Sequence, residues 1–86
     1  MNETEFYIKL LALPNGANDI YYKSKRYLLR KETLLEGKLI KIYAEDLSSK
    51  DIVSGNYYPT IKNGILKPCE MSYEKVIDFV LYAKSQ

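Results

Sequence analysis

The chain has 86 residues, of which 47% are hydrophobic, and a formal net charge of +2. A chain of this length forms one domain with a thin core, and its apolar fraction is typical of globular rather than disordered proteins. It has nine tyrosines, one cysteine and no histidine, so it lacks the usual general base and metal ligand and an internal disulfide. We expect a single small domain over residues 1–86, without catalytic residues, metal or cofactor.

The N-terminal segment alternates in hydrophobicity. From Glu5 to Ala12, Phe6, Ile8 and Leu10 fall on one side of an extended chain. A period of two over eight residues predicts a half-buried strand. Residues 14–16, Pro-Asn-Gly, then predict a chain reversal.

The next segment supports two interpretations. It opens as an extended run at residues 20–22 and continues through residues 27–29 with poor alternation, which a bulge near Ser24 would repair. A short helix over residues 25–35 is the alternative, because leucines there would line one face. The tyrosine-rich opening favours a strand.

The middle of the chain predicts a strand and a short helical turn. Glu36-Gly37 marks a turn, and residues 39–47 alternate as a second clear strand. Residues 48–51 have the spacing of a capping box, which predicts one helical turn through Ile52 and Val53.

A hairpin is predicted near the C-terminal third of the chain. Lys62-Asn63-Gly64 separates two apolar runs, residues 57–61 and 65–67, and Asn-Gly in that setting is a strong hairpin signal. Pro59 cannot donate a hydrogen bond to a neighbouring strand, so its strand should lie at a sheet edge or begin there.

The last segment predicts the clearest helix. Ser72 is a good N-cap, and residues 73–84 contain no glycine or proline. Its apolar stripe, which must pack on a sheet, consists of Tyr73, Val76, Ile77, Val80 and Leu81. The predicted fold class is therefore α+β: a small twisted antiparallel sheet of about four or five strands, built from hairpins, with a C-terminal α-helix packed on one face.

The residues that most often carry chemistry are poorly placed for it. Cys69 has no histidine to lower its pKa, so we expect a partly buried structural thiol in a reducing cytoplasm. Glu45 and Asp46 are neighbours on a predicted strand and point to opposite faces. No segment has enough consecutive apolar residues to span a bilayer.

Tyrosine supplies the main candidate for function. Its large amphipathic ring favours contact surfaces, although A/T-rich codons would also enrich tyrosine. Tyr57 and Tyr58 lie beside Pro59 on the predicted edge strand, and Phe79 and Tyr82 lie off the main helical stripe. We expect a non-enzymatic interaction domain, of the kind common among bacterial and phage accessory proteins, that docks a protein partner or a second copy of itself through these four aromatic residues.

The alternative function is binding of nucleic acid or a nucleotide. Residues 23–31 contain five basic residues and no acid. Cations neutralise phosphates and aromatic rings stack on bases, although a solvated charged surface has the same composition. The residues that would bind are Tyr21, Tyr22, Lys23, Lys25, Arg26, Tyr27, Arg30 and Lys31.

Overall fold

The computed structural model of the chain describes residues 3–62 and 64–85. Over these residues the fold is α+β: two helices cover one face of a six-stranded antiparallel sheet with the order β5-β4-β3-β2-β1-β6. The predicted fold class is confirmed, with six strands in place of four or five. The elements are α1 (Glu3–Ala12), β1 (Gly16–Tyr22), β2 (Lys25–Leu34), a 3-10 turn (Leu35–Gly37), β3 (Leu39–Asp46), β4 (Ile52–Tyr58), β5 (Ile65–Pro68), α2 (Tyr73–Tyr82) and β6 (Lys84–Ser85).

The predicted N-terminal strand is wrong, because residues 5–12 belong to helix α1. Phe6, Leu10 and Leu13 are buried at a spacing of four and three residues, whereas Ile8, which shares the even parity of Phe6 and Leu10, is 59% exposed. The apolar residues of this segment fit both the two-residue period of a strand and the 3.6-residue period of a helix. Packing against the sheet selects the helix, because only a helix brings Phe6, Leu10 and Leu13 onto one face.

A buried lysine holds the end of α1 on the sheet. Lys31 of β2 is 2% exposed, and its ammonium donates to the carbonyl oxygens of Leu10 at 2.7 Å, Leu13 at 2.6 Å and Leu11 at 3.3 Å. The end of a helix leaves its last carbonyls without an N–H donor four residues later, and the Leu10 carbonyl also accepts from the Leu13 N–H at 3.3 Å. A cation there complements the helix dipole. Burial lowers the pKa of Lys31.

The ambiguous segment forms two strands, so both the bulge near Ser24 and the helix over residues 25–35 are wrong. Lys23 and Ser24 have φ of 50° and 62°, which is the geometry of a two-residue hairpin turn. Tyr22 therefore pairs with Lys25, and the inward parity changes from even numbers in β1 to odd numbers in β2. The sequence alternates poorly because a turn interrupts it.

The second predicted strand, residues 39–47, is confirmed as β3, but the helical turn after it is wrong. Ile52 and Val53 begin strand β4. The hydroxyls of Ser48 and Ser49 donate to the Asp46 carboxylate at 2.8 and 2.6 Å. The polar spacing that resembled a helix cap belongs to the loop between β3 and β4, in which the Lys50 N–H donates to the Asp46 carbonyl at 2.6 Å. Serines serve both purposes.

The predicted hairpin is present as the antiparallel pair β4–β5, in which Tyr57 lies opposite Leu66. Asn63, in the predicted turn, lies outside the described residues. The predicted edge position of the strand beside Pro59 is wrong, because β4 is internal and the edge strand is β5. Pro59 follows the last residue of β4 and does not need to donate to a neighbouring strand.

Helix α2 confirms the C-terminal prediction and its cap. The Ser72 hydroxyl accepts from the Lys75 backbone N–H at 3.2 Å. The helix ends at Tyr82, and Lys84 pairs with Tyr21 of β1. It buries Val76, Phe79 and Val80 but leaves Tyr73 exposed, so the buried stripe is rotated toward Phe79. Within the described residues, neither helix has the length and apolar character needed to cross a membrane.

Replacing Lys31 with methionine should destabilise the fold. Lys31→Met keeps the apolar stem but leaves the carbonyls at the end of α1 without their charged donor, so the free energy of unfolding should fall by about 2 kcal/mol. Urea denaturation measures the change. Lys38→Met, at an exposed turn position, is the matched control and should change stability by less than about 0.5 kcal/mol. Equal effects of the two substitutions would contradict the capping role.

Candidate functional site

The face of the sheet opposite the two helices carries the candidate site, and we call it the open face. Antiparallel partners that lie directly opposite each other share a face, so the strand register assigns each side chain. The centre of the open face is built from Leu28, Arg30, Glu32 and Leu34 of β2 and their partners on β3, Glu45, Tyr43, Lys41 and Leu39. Most of these side chains are exposed.

Tyrosine and cationic side chains are neighbours on the open face. Tyr21 lies opposite Arg26 in the β1–β2 pair, and Tyr43 lies opposite Arg30 in the β2–β3 pair. At the far edge of the sheet, the Lys67 ammonium is 6.0 Å from the centre of the Tyr58 ring. A cation at this distance attracts the face of the ring, and for Tyr21 and Tyr43 the register places a cation next to the tyrosine on the same face of the sheet.

Acidic residues lie among these cations. Asp19, Glu32 and Glu45 point to the same face as Arg30 and Tyr43. Glu32 lies directly opposite Lys41. The open face is therefore a mixture of both charge signs with aromatic and aliphatic side chains, and it is not a continuous basic stripe.

The open face is shallow. A depression of about 240 Å³ lies between Arg30, Tyr43 and Cys69, which is smaller than the roughly 300–1,000 Å³ of most small-molecule sites. A flat surface of this kind offers area for contact and no enclosed pocket.

The predicted docking residues are dispersed by the fold. Tyr57 and Phe79 are buried in the core, where Tyr57 packs on Phe6 with ring centres 5.1 Å apart, so neither ring is available on the surface of the folded chain. Tyr58 is half-buried on the open face, and Tyr82 is 62% exposed on α2. Tyr58 and Tyr82 lie on opposite sides of the sheet.

The predicted nucleic-acid residues are also divided. Tyr21, Arg26 and Arg30 share the open face. Tyr22, Tyr27 and Lys31 point to the covered face and are buried. Burial removes this second group from any surface contact, because alternate residues of a strand point to opposite faces. Lys23 and Lys25, the remaining two predicted residues, are exposed.

A second cluster of polar groups lies where α2 meets the β1–β2 hairpin, and we call it the tyrosine–aspartate cluster. It consists of Tyr22, Tyr27, Asp51, Lys75 and Asp78. Tyr22 donates to Asp78, Tyr27 donates to Asp51 at 2.8 Å, and Lys75 donates to Asp51 at 2.7 Å. The cluster lines an open cleft of about 490 Å³.

The two tyrosine hydroxyls of this cluster are protonated at neutral pH. Burial, and then the hydrogen bond to Asp51, raise the pKa of Tyr27 to about 12, and burial followed by Asp78 raises the pKa of Tyr22. Lys75 lowers the pKa of Asp51. At neutral pH both tyrosines are hydrogen-bond donors, whereas a nucleophile or general base needs a lowered or near-neutral pKa.

The exposure of the single thiol differs from the prediction. Cys69 is exposed, not partly buried, because it follows the end of edge strand β5. Across residues 3–62 and 64–85, cysteine, aspartate and glutamate side chains do not gather in a group of three that would hold a metal ion.

Sequence reasoning did not select Tyr43, which is 45% exposed at the centre of the open face. The signal for it was the alternation of residues 39–47, which places Tyr43 on the polar side with Lys41 and Glu45.

Comparison of the chain with known protein families, with curated proteins and with solved structures finds no match.

The Tyr27–Asp51 hydrogen bond should make stability depend on alkaline pH. The pKa of folded Tyr27 lies above the unfolded value of about 10, so the contribution of its hydroxyl is complete below about pH 10 and is lost as the pH rises through about 12. The difference in unfolding free energy between wild type and Tyr27→Phe, about 1.5 kcal/mol at neutral pH, should shrink over that range. Urea denaturation at each pH measures it. For the exposed Tyr43→Phe the difference should stay near zero, and a constant Tyr27→Phe difference up to pH 12 would contradict the assignment.

Proposed function

We propose that this chain is a non-enzymatic interaction domain that docks proteins through the open face of its sheet. The observation that carries the proposal is the placement of both helices on one face of the sheet, which leaves Tyr43, Arg30 and their neighbours uncovered. Tyrosine and arginine are among the residues most enriched at the energetic centres of protein interfaces.

The size of the open face supports docking. The six strands contain 38 residues, and each residue covers about 16 Å² of the sheet at about 3.3 Å along the strand and about 4.8 Å between strands. The flat footprint is therefore about 600 Å², compared with the roughly 800 Å² that each partner contributes to a standard protein interface. A contact of this area is large enough for a specific complex.

The composition of the open face favours a protein over a polyanion. Leu28, Leu34 and Tyr43 are each more than one-third exposed, and they add apolar contact area of the kind that protein interfaces bury. The acids Glu32 and Glu45 would repel a phosphate backbone placed across the same strands.

A binding role also agrees with the chemistry of the side chains. The chain has no histidine, and the two tyrosines of the tyrosine–aspartate cluster are held as neutral donors. The exposed Cys69 thiol suits a reducing compartment, and we infer a cytoplasmic location from it.

Removing the central ring and cation should abolish docking. Wild type, Arg30→Ala/Tyr43→Ala and the control Tyr73→Ala/Tyr82→Ala are immobilised in parallel and exposed to lysate of the encoding organism and to the free chain itself. Wild type and the α2 control should retain the same protein at one-to-one stoichiometry. The open-face variant should bind it at least about 30-fold more weakly, because each truncated interface anchor costs about 1–2 kcal/mol or more.

Two results would overturn this docking site. One is equal retention by the open-face variant and the α2 control, and the other is retention of no protein, including the chain itself, by wild type. Circular dichroism of each variant verifies that the fold is intact.

A second candidate function is binding of single-stranded nucleic acid by the same face. It is favoured by the tyrosine–cation neighbours Tyr21–Arg26, Tyr43–Arg30 and Tyr58–Lys67. Rings on a sheet stack on bases while adjacent cations neutralise phosphates.

This candidate predicts binding that depends on salt. Wild type should shift labelled single-stranded oligonucleotides at low salt, and Arg26→Ala/Arg30→Ala should weaken binding for all base sequences and reduce the salt dependence by about two charges. Lys9→Ala, on α1 at the opposite side of the sheet, is the control. Absence of any shift by wild type at low salt would exclude this function.

A further inference from the structure

The central strands of the open face are complementary to themselves. Strands β2 and β3 lie side by side, and at each level one residue of β2 is directly opposite one residue of β3. Three of the four open-face levels are Leu34 with Leu39, Glu32 with Lys41, and Arg30 with Tyr43, and the fourth is Leu28 with Glu45. The first three levels combine two groups that attract each other across a contact.

We propose that the occupant of the open face is a second copy of this chain, so that two sheets pack face to face as a symmetric dimer; the inference rests on the docking function proposed above. The two-fold axis runs parallel to the strands, between β2 and β3. Rotation about this axis places β2 of one copy over β3 of the other at the same level. Two sheets in such an arrangement cross at about −30°, as in a β-sandwich.

In this arrangement every complementary pair occurs twice. Glu32 of each copy lies over Lys41 of the other, Arg30 lies over Tyr43, and Leu34 lies over Leu39. These contacts are an ion pair, a cation–π contact and an apolar contact. Leu28 lies over Glu45, where it meets the aliphatic stem of the glutamate.

An axis at right angles to the strands, at the level of Arg30 and Tyr43, would place each Arg30 against Arg30 of the second copy, where like charges repel. Midway between that level and the level of Glu32 and Lys41, the same kind of axis would place Arg30 over Glu32 and Tyr43 over Lys41. The mixing experiment below separates that arrangement from the proposed one, because there the lysine introduced at position 32 would face Arg30 of the second copy in the mixture as well.

The area agrees with a dimer of modest affinity. The two open faces together present about 1,200 Å² of flat footprint, which lies at the lower limit of the roughly 1,200–2,000 Å² of specific interfaces. Next to the axis each face carries Arg30, Glu32, Lys41 and Glu45 together with three leucines and Tyr43, so charge pairing has to accompany the burial of apolar area.

The test uses two charge variants, Glu32→Lys and Lys41→Glu, alone and mixed. In a dimer of Glu32→Lys chains the introduced lysine faces the native Lys41 of the second copy, and in a dimer of Lys41→Glu chains the introduced glutamate faces the native Glu32. Each variant alone should therefore have a dimer dissociation constant about 30-fold above wild type, because two pairs change from attraction to repulsion.

An equimolar mixture of the two variants restores both attractions. The introduced lysine of one chain then faces the introduced glutamate of the other, and the native Lys41 of the first chain faces the native Glu32 of the second. The mass of the mixture in sedimentation equilibrium should return to twice the 10.0 kDa of one chain.

Rescue on mixing separates contacts between copies from effects within a chain. Glu32 and Lys41 are also neighbours in the same chain, and an effect confined to one chain cannot be repaired by adding another. Lys9→Glu, on α1, is the control and should dimerise as wild type does. Failure of the mixture to associate, with wild type dimeric, would overturn the proposed axis.

A cross-linking measurement covers the case in which a charge variant does not fold. In a Cys69→Ser background, Leu34→Cys and Leu39→Cys chains are mixed under mild oxidation. The mixture should form the disulfide-linked pair several-fold faster than either chain alone, because residue 34 faces residue 39 of the other copy. Equal rates would contradict the arrangement.

The outcomes distinguish this inference from the docking function. If wild type is monomeric but binds a different protein that Arg30→Ala/Tyr43→Ala releases, the dimer is disproved and the docking function stands. If wild type is monomeric and binds no protein, both proposals fail.

Discussion

The buried Lys31 ammonium is the contact on which the arrangement of this protein depends. Its bonds to the carbonyls of Leu10 and Leu13 fix the end of α1 against the centre of the sheet. With α1 in that position, Phe6 packs on Tyr57 and α1 lies beside α2. Lys31 is 2% exposed, and its buried charge is tolerated because main-chain oxygens accept hydrogen bonds from it. This contact specifies where the end of α1 must lie.

Covering one face of the sheet with two helices leaves the other face uncovered. The short strands β5 and β6 form the two edges of the sheet. The central pair β2–β3 presents its outward side chains across the middle. The open face is thus a consequence of the packing of both helices on the other face of the sheet. Tyr43 and Arg30 are available for contact because Tyr57, Phe79 and their neighbours already fill the covered side.

The tyrosines divide into two groups with different roles. Tyr22 and Tyr27 bury their rings against Phe79. Tyr22 donates to Asp78 of α2, and Tyr27 donates to Asp51, which also accepts from Lys75 of α2, so both tyrosines join the β1–β2 hairpin to α2. Tyr21, Tyr43 and Tyr58 point outward from the opposite face of the sheet. A ring with a polar tip suits both positions, since it fills apolar space at one end and forms a hydrogen bond at the other.

Local sequence determined the elements whose signals are short-range. The Ser72 cap, the alternation of β3 and the β4–β5 hairpin were predictable, because caps, periods and turns depend on residues a few positions apart. Tertiary structure decided the remainder. Residues 5–12 are a helix because Phe6, Leu10 and Leu13 had to meet the sheet together, and Lys31 is buried because α1 ends above it. The parity of β2 follows from the turn at Lys23-Ser24, two residues without the usual glycine, and that turn determines which aromatic and basic side chains reach the surface.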